Sequence, residues 1–143
     1  MIVVRGETRA SRAAVWAVMS ELDRWDELIP TVSGIDRRSA PGPIGVGTRY
    51  RVRQPGLPAA EYTVTDWSPD AGFTWEARAG GVRTVADHRL RPHGEGTRIE
   101  LGIEWSGPAA PLVKALLARK ARAYMRRELA ALKALAEDGP PPR

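Results

Sequence analysis

Residues 98–136 read RIELGIEWSGPAAPLVKALLARKARAYMRRELAALKALA, and a change of period inside this stretch decides the fold. Up to Trp105 the period is two. Ile99, Leu101, Ile103 and Trp105 point one way, and Arg98, Glu100, Gly102 and Glu104 the other, the cleanest alternation in the chain. Such alternation marks a strand with one covered and one wet face. From Pro111 the period lengthens. Val113, Leu117, Ala121, Tyr124, Leu132 and Leu135 fall at helical spacing as far as about Ala136, a stripe along about seven turns. A half-buried strand leading into a long amphipathic helix predicts that the helix covers one face of an antiparallel sheet.

The chain upstream supplies the rest of that sheet. Thr48 to Gln54 sets Tyr50, Val52 and Gln54 against Arg49, Arg51 and Arg53, and Glu61 to Trp67 sets Tyr62 and Val64 against Thr63 and Thr65. Phe73, Trp75 and Ala77 alternate with Thr74, Glu76 and Arg78; over Val82 to Arg91, Thr84, Ala86, His88 and Leu90 share a face. Turn residues stand between these runs: Pro55-Gly56-Leu57-Pro58, Ser68-Pro69-Asp70, Gly80-Gly81 and His93-Gly94-Glu95-Gly96. Regularly spaced strands with tight turns predict a meander. Ahead of them, Ile2 to Thr8 suits a first strand and Ser11 caps a helix from Arg12 to about Leu22. Asp23 to Pro30 reads as a brief second helix or turn that buries Trp25, Leu28 and Ile29; Val32 to Arg38 is a further strand, closed by the loop Ala40-Pro41-Gly42-Pro43.

The expected fold is therefore α+β: a curved antiparallel sheet of six to seven strands around a long C-terminal helix, with two short helices after the first strand. The 143 residues suit one domain, here 1–138, while 139–143, with Gly139 and three prolines, read as a disordered tail. There are no cysteines, which excludes disulfides, thiolate nucleophiles and cysteine-based metal sites, and only two histidines, so neither metal nor cofactor is expected. The longest apolar run, Ala13 to Met19, is seven residues, far short of the ~18 a membrane span needs. No basic-then-apolar leader is visible, and the chain reads as cytoplasmic. The net charge of +5 is uneven. Lys114, Arg119, Lys120, Arg122, Arg126, Arg127 and Lys133 stand against Glu128 alone within 111–136, a net of +6, and the remainder sums to −1. A basic helix face attracts phosphate or anionic headgroups, or simply keeps the surface solvated.

A strongly curved sheet cannot press its whole face onto a straight helix, so a cavity between the two is expected from shape. At this point the chain resembles the helix-grip superfamily, which includes START-related lipid carriers, the polyketide cyclase/dehydrase family and the birch-allergen-like proteins. The resemblance rests on Ala10-Ser11-Arg12-Ala13-Ala14-Val15-Trp16, Asp23-Arg24-Trp25, Pro30, Gly47-Thr48 and Gln54-Pro55-Gly56. Val64 with Trp67 and Pro69, Gly96-Thr97-Arg98 and the long last helix extend it over nearly the whole chain. It is closest to bacterial polyketide cyclase and lipid-transport proteins. It implies a cavity for a small hydrophobic ligand such as a lipid, polyketide or isoprenoid, and leaves catalysis open.

Each candidate residue has a plain alternative. His88, polar among Ala86 and Leu90, suits a general acid or base, or a structural hydrogen bond. Tyr50, Tyr62 and Tyr124 can orient a ligand carbonyl, with Tyr124 joining His88 as a proton shuttle in a cyclase or dehydratase, or can close the core. Gln54 can offer an amide. Trp25, Phe73, Trp75, Leu101, Trp105 and Leu117 give a hydrophobic ligand its walls, or fill the interior solid. The strand arginines Arg49, Arg51, Arg53, Arg83 and Arg89 fall outside, which counts against a ketone polarised by a cavity arginine, as in cyclases of the resembled family. The basic helix offers ribosome or nucleic-acid association, but without interleaved aromatics or a recognised motif. An exposed edge strand and a dimer strand look alike in sequence, so the chain is a monomer or a homodimer.

Overall fold

The computed structural model describes residues 1–139. The first strand, β1 (Ile2–Thr8), leads to α1 (Arg12–Met19), a 3-10 turn (Leu22–Arg24) and α2 (Trp25–Leu28). There follow β2 (Gly34–Arg37), β3 (Arg49–Arg53), β4 (Ala60–Ser68), β5 (Gly72–Ala79), β6 (Val82–His93), β7 (Gly96–Ser106) and the long α3 (Ala110–Asp138). All seven strands form one antiparallel sheet in the order β1-β7-β6-β5-β4-β3-β2. The strands from β2 to β7 meander, and β1 adds itself beside β7, so α1 and α2 carry the chain from one edge to the other. The expected tail over 139–143 lies, apart from Gly139, outside the described residues.

Local chemistry explains the start of α1. Ser11 Oγ accepts from the Ala14 amide at 3.1 Å, the expected N-cap. The helix ends at Met19 instead of continuing to Leu22. Glu21 leaves helical geometry, and the indole N–H of Trp25 donates to the Met19 carbonyl at 3.1 Å, satisfying an acceptor that the helix has left free. The bend lets Leu22, Trp25 and Leu28 all reach the core.

The outer face of the sheet carries cross-strand ion pairs. Glu100 sits between Arg5 (2.6 Å) and Arg91 (3.0 Å), Arg83 meets Glu76 (2.8 Å), and Arg89 meets Asp66 and Asp87, each at 2.8 Å. The five strand arginines do lie outside, with Arg49 and Arg53 paired to Glu61 and Asp36. On the inner face Val15, Val18, Phe73, Ile99 and Leu132 form a core with almost no exposure. Two glycines let backbone approach backbone or helix. At Gly72 (φ +132°) a Cβ would lie 1.9 Å from the His88 carbonyl oxygen, and at Gly6 one would lie 3.0 Å from Leu129 Cδ2, where α3 crosses β1.

Candidate functional site

The second half of α3 is seated: Ala121, Leu129 and Leu132 are buried. Residues 110–120 include no buried residue. Beneath them the inward positions of the sheet carry small side chains, Ala60 on β4, Ala77 on β5 and Ala86 on β6, which face Ala121 across a gap. The larger Trp75, Trp105 and Leu117 also border this space, and the alanine methyl groups cannot fill it. The result is a cavity of about 420 Å³ with a mainly apolar lining, within the size range of small-molecule sites.

At the mouth, the turn after β3 reaches α3 through two hydrogen bonds. Tyr124 donates its hydroxyl proton to the Pro55 carbonyl, and Lys120 Nζ donates to the Gly56 carbonyl at 3.4 Å. Gln54 lies beside this turn on the lining.

The inner end of the cavity is polar. His88, 4% exposed, stacks on Phe73 with ring centroids 4.1 Å apart and meets the Trp25 ring edge-on at 5.7 Å. Its Nδ1 lies 3.3 Å from the Phe73 carbonyl oxygen. A carbonyl only accepts, so this contact selects the form with the proton on Nδ1 and turns Nε2 toward the cavity. There Nε2 lies 3.5 Å from Glu128 Oε2, longer than a normal hydrogen bond. Among the described residues this is the one ion pair Glu128 makes. Tyr62, stacked on Trp75 at 4.9 Å, completes the group. Burial, and then the charge of Glu128, push its phenol up to about 12. Asp87 borders the lining, but its carboxylate is taken on the outer face by Thr74 (2.7 Å) and Arg89.

Of the residues singled out in the sequence, Trp25, Gln54, Tyr62, Trp75, His88 and Leu101 border the cavity, as do Trp105, Leu117 and Tyr124. Two do not. Tyr50 is fully buried and donates its hydroxyl to Asp23 Oδ1 at 2.9 Å; Asp23 is in turn gripped by Arg37 at 2.7 and 3.1 Å. Phe73 lies at 0% exposure behind His88, one strand position away from the open space. Both are core residues because alternation assigns a face, not a distance along the strand from the hollow end. Glu128 also lines the cavity, outside the candidates named from the sequence. It occupies the position on the stripe between Tyr124 and Leu132, and an acid on an apolar stripe was the signal. The facing alanines are likewise outside those candidates; their sign is small residues where an inward face ordinarily places leucine or isoleucine.

A seven-stranded antiparallel sheet around a long C-terminal helix, hollow between the two, is the helix-grip fold. The chain belongs to the polyketide cyclase/dehydrase and lipid-transport family, which it matches over residues 2–137. Its fold is that of several solved structures. The di-domain ARO/CYC StfQ of the steffimycin biosynthetic pathway superposes with a TM-score of 0.79 at 15% identity, over 96% of this chain; the chain spans 50% of that longer protein. A norcoclaurine synthase point mutant from Thalictrum flavum, in complex with a transition-state analogue, gives 0.75 at 20% identity over 96% of this chain and 93% of its own. The protein TTHA0849 from Thermus thermophilus gives 0.75 at 15% identity over 98% of this chain and 99% of its own. No curated protein matches the chain by sequence. No described helix is long and apolar enough to cross a membrane, and no cluster of three or more His, Asp or Glu side chains among the described residues could hold a metal ion.

Proposed function

We propose that the chain binds a small hydrophobic molecule, of lipid, polyketide or isoprenoid type, between the sheet and α3. The observation that carries this reading is the apolar cavity of about 420 Å³ under the unseated half of the helix. Each buried methylene contributes about 0.8 kcal/mol, so ten supply about 8 kcal/mol before the costs of association, near the micromolar scale. A ligand of four or five carbons is not held on that scale; a long chain or a fused ring system is. The test is a thermal-shift screen of fatty alcohols, sterols, quinones and aromatic polyketides with tryptophan emission read in parallel, since Trp25, Trp75 and Trp105 wall the cavity. A ligand at about 100 times its Kd adds roughly 2.7 kcal/mol and raises the midpoint by several degrees. No shift and no emission change across the panel refutes the reading.

One observation favours a second reading, turnover of such a ligand by cyclisation or dehydration: His88 Nε2 opens on the cavity beside Glu128 and Tyr62. In this reading His88 takes a proton from the carbon beside a carbonyl while the electron pair moves onto the carbonyl oxygen. The carbonyl then re-forms, the pair shifts into a new carbon–carbon double bond, and the imidazolium returns the proton to the departing hydroxyl, which leaves as water. With the strand arginines outside, the Tyr62 hydroxyl is the donor for the enolate oxygen. Tyr124, the tyrosine first paired with His88, already spends its proton on Pro55. Turnover of an aromatic polyketide that survives in His88→Ala rules this mechanism out. The outer face of α3, where Arg119, Arg122, Arg126 and Arg127 are exposed without an exposed aromatic between them, favours no nucleic-acid reading over a solvated surface.

A further inference from the structure

The inner end of the cavity sets two acceptors side by side, the Glu128 carboxylate and the Nε2 of neutral His88. In neutral His88, with its proton directed at the Phe73 carbonyl, the Nε2 lone pair faces the Glu128 carboxylate across 3.5 Å. Two acceptors at that separation repel unless a proton lies between or beside them, and a half-buried carboxylate without a cation is unfavourable. The lining supplies no fixed cation, and Glu128 has a charged partner there only when His88 itself is protonated. Among the described residues no lysine or arginine borders the cavity, and Lys120 reaches only the turn at its mouth.

We infer that the ligand carries a head group that donates hydrogen bonds and is not anionic, an alcohol or an amine, which seats between Glu128 and His88. This rests on the binding reading above and narrows it. A hydroxyl gives one proton to the pair, and an ammonium also neutralises Glu128. The carboxylate of a fatty acid brings a second negative charge against Glu128 and finds no fixed cation. Glu128 is thus the residue that sets head-group specificity, while the facing alanines leave room for the apolar body.

Three probes with the same chain, 1-decanol, decylamine and decanoate, separate the possibilities when titrated at neutral pH by tryptophan fluorescence. The expected result is that decanol and decylamine each bind at least tenfold more tightly than decanoate. Glu128→Gln then shrinks both ratios, strengthening decanoate and weakening decylamine. Discrimination below tenfold in the native protein, or ratios unchanged by Glu128→Gln, overturns the inference while leaving a hydrophobic cavity in place. Saturable binding of none of the three overturns the cavity reading itself. Should Glu128→Gln not fold, the ranking in the native protein decides alone.

Discussion

At one end of the molecule Phe73, Leu90 and Ile99 join Val15, Val18 and Leu132 in one buried cluster. At the other, Ala77 and Ala86 face Ala121 across a cavity. Both ends belong to the same sheet, the same unbroken ladder between β6 and β7, and the same helix. What differs is side-chain volume at inward positions, and how closely α3 is seated. Gly6 admits Leu129 at one end, while two hydrogen bonds to the turn after β3 tether the helix at the other. Trp25, Trp75 and Leu101 belong to both, buried in the core on one side and bordering the cavity on the other.

Truncation at the two ends is the strongest way to break that comparison. Phe73→Ala opens a void in the filled end and is expected to cost about 3–5 kcal/mol. Leu117→Ala, on the wall of an existing cavity, is expected to cost under about 1 kcal/mol, because it removes contacts without creating a new void. Chemical denaturation of both variants measures the gap, and equal costs would dissolve the distinction. Next is Gly72→Ala, expected to cost roughly 2–3 kcal/mol, since the added Cβ meets the His88 carbonyl and the backbone is left-handed there. Its thermal midpoint reports the loss. Filling the hollow end acts in the opposite direction: Ala121→Leu is expected to raise stability by about 0.5–2 kcal/mol while weakening the binding of 1-decanol. Stabilisation without lost affinity would place the ligand elsewhere.

Two smaller effects sharpen the electrostatics of each face. The Tyr62 phenol, pushed up to about 12 by burial and then by Glu128, is expected to fall in Glu128→Gln while staying above its ordinary value near 10 because burial remains. Ultraviolet titration of the tyrosines reads this. A raised phenol leaves the native state most stable below pH 10, with stability lost as the pH climbs from there toward 12. On the outer face, Arg5 and then Arg91 hold the Glu100 carboxyl below the usual carboxylate range. Its contribution is present above that range and is lost as the pH falls through the lowered value. Glu100→Gln is expected to cost less than about 1 kcal/mol near neutrality, and the difference from the native chain to vanish in acid.

How much of this was legible beforehand depends on the range of the interactions. Ser11 capping α1, the run of β1 from Ile2 to Thr8 and the inward face of β6 are decided within a few residues, and reading locally finds them. The break after Met19 is set by the Trp25 indole reaching back, and the fate of Tyr50 by Asp23, 27 residues away. Neither is visible in a local period. Phe73 and Ala77 share one face of one strand, yet one is core and the other lines the cavity. Telling them apart requires the register of β5 against β6 and the position of α3 over both. Glu128 is legible as the one acid on an apolar stripe, although the basic residues around it give the segment first the character of a charged face.

The most direct measurement is an amide chemical-shift map of the isotope-labelled chain titrated with 1-decanol. Saturable shifts concentrated at Ala60, Ala77, Ala86, Val113, Leu117 and Glu128, with Tyr50, Leu90 and Ile99 unmoved, are the predicted result. Shifts confined to the outer face of α3, or spread evenly over both ends, would contradict a molecule with one solid end and one end built to hold a ligand.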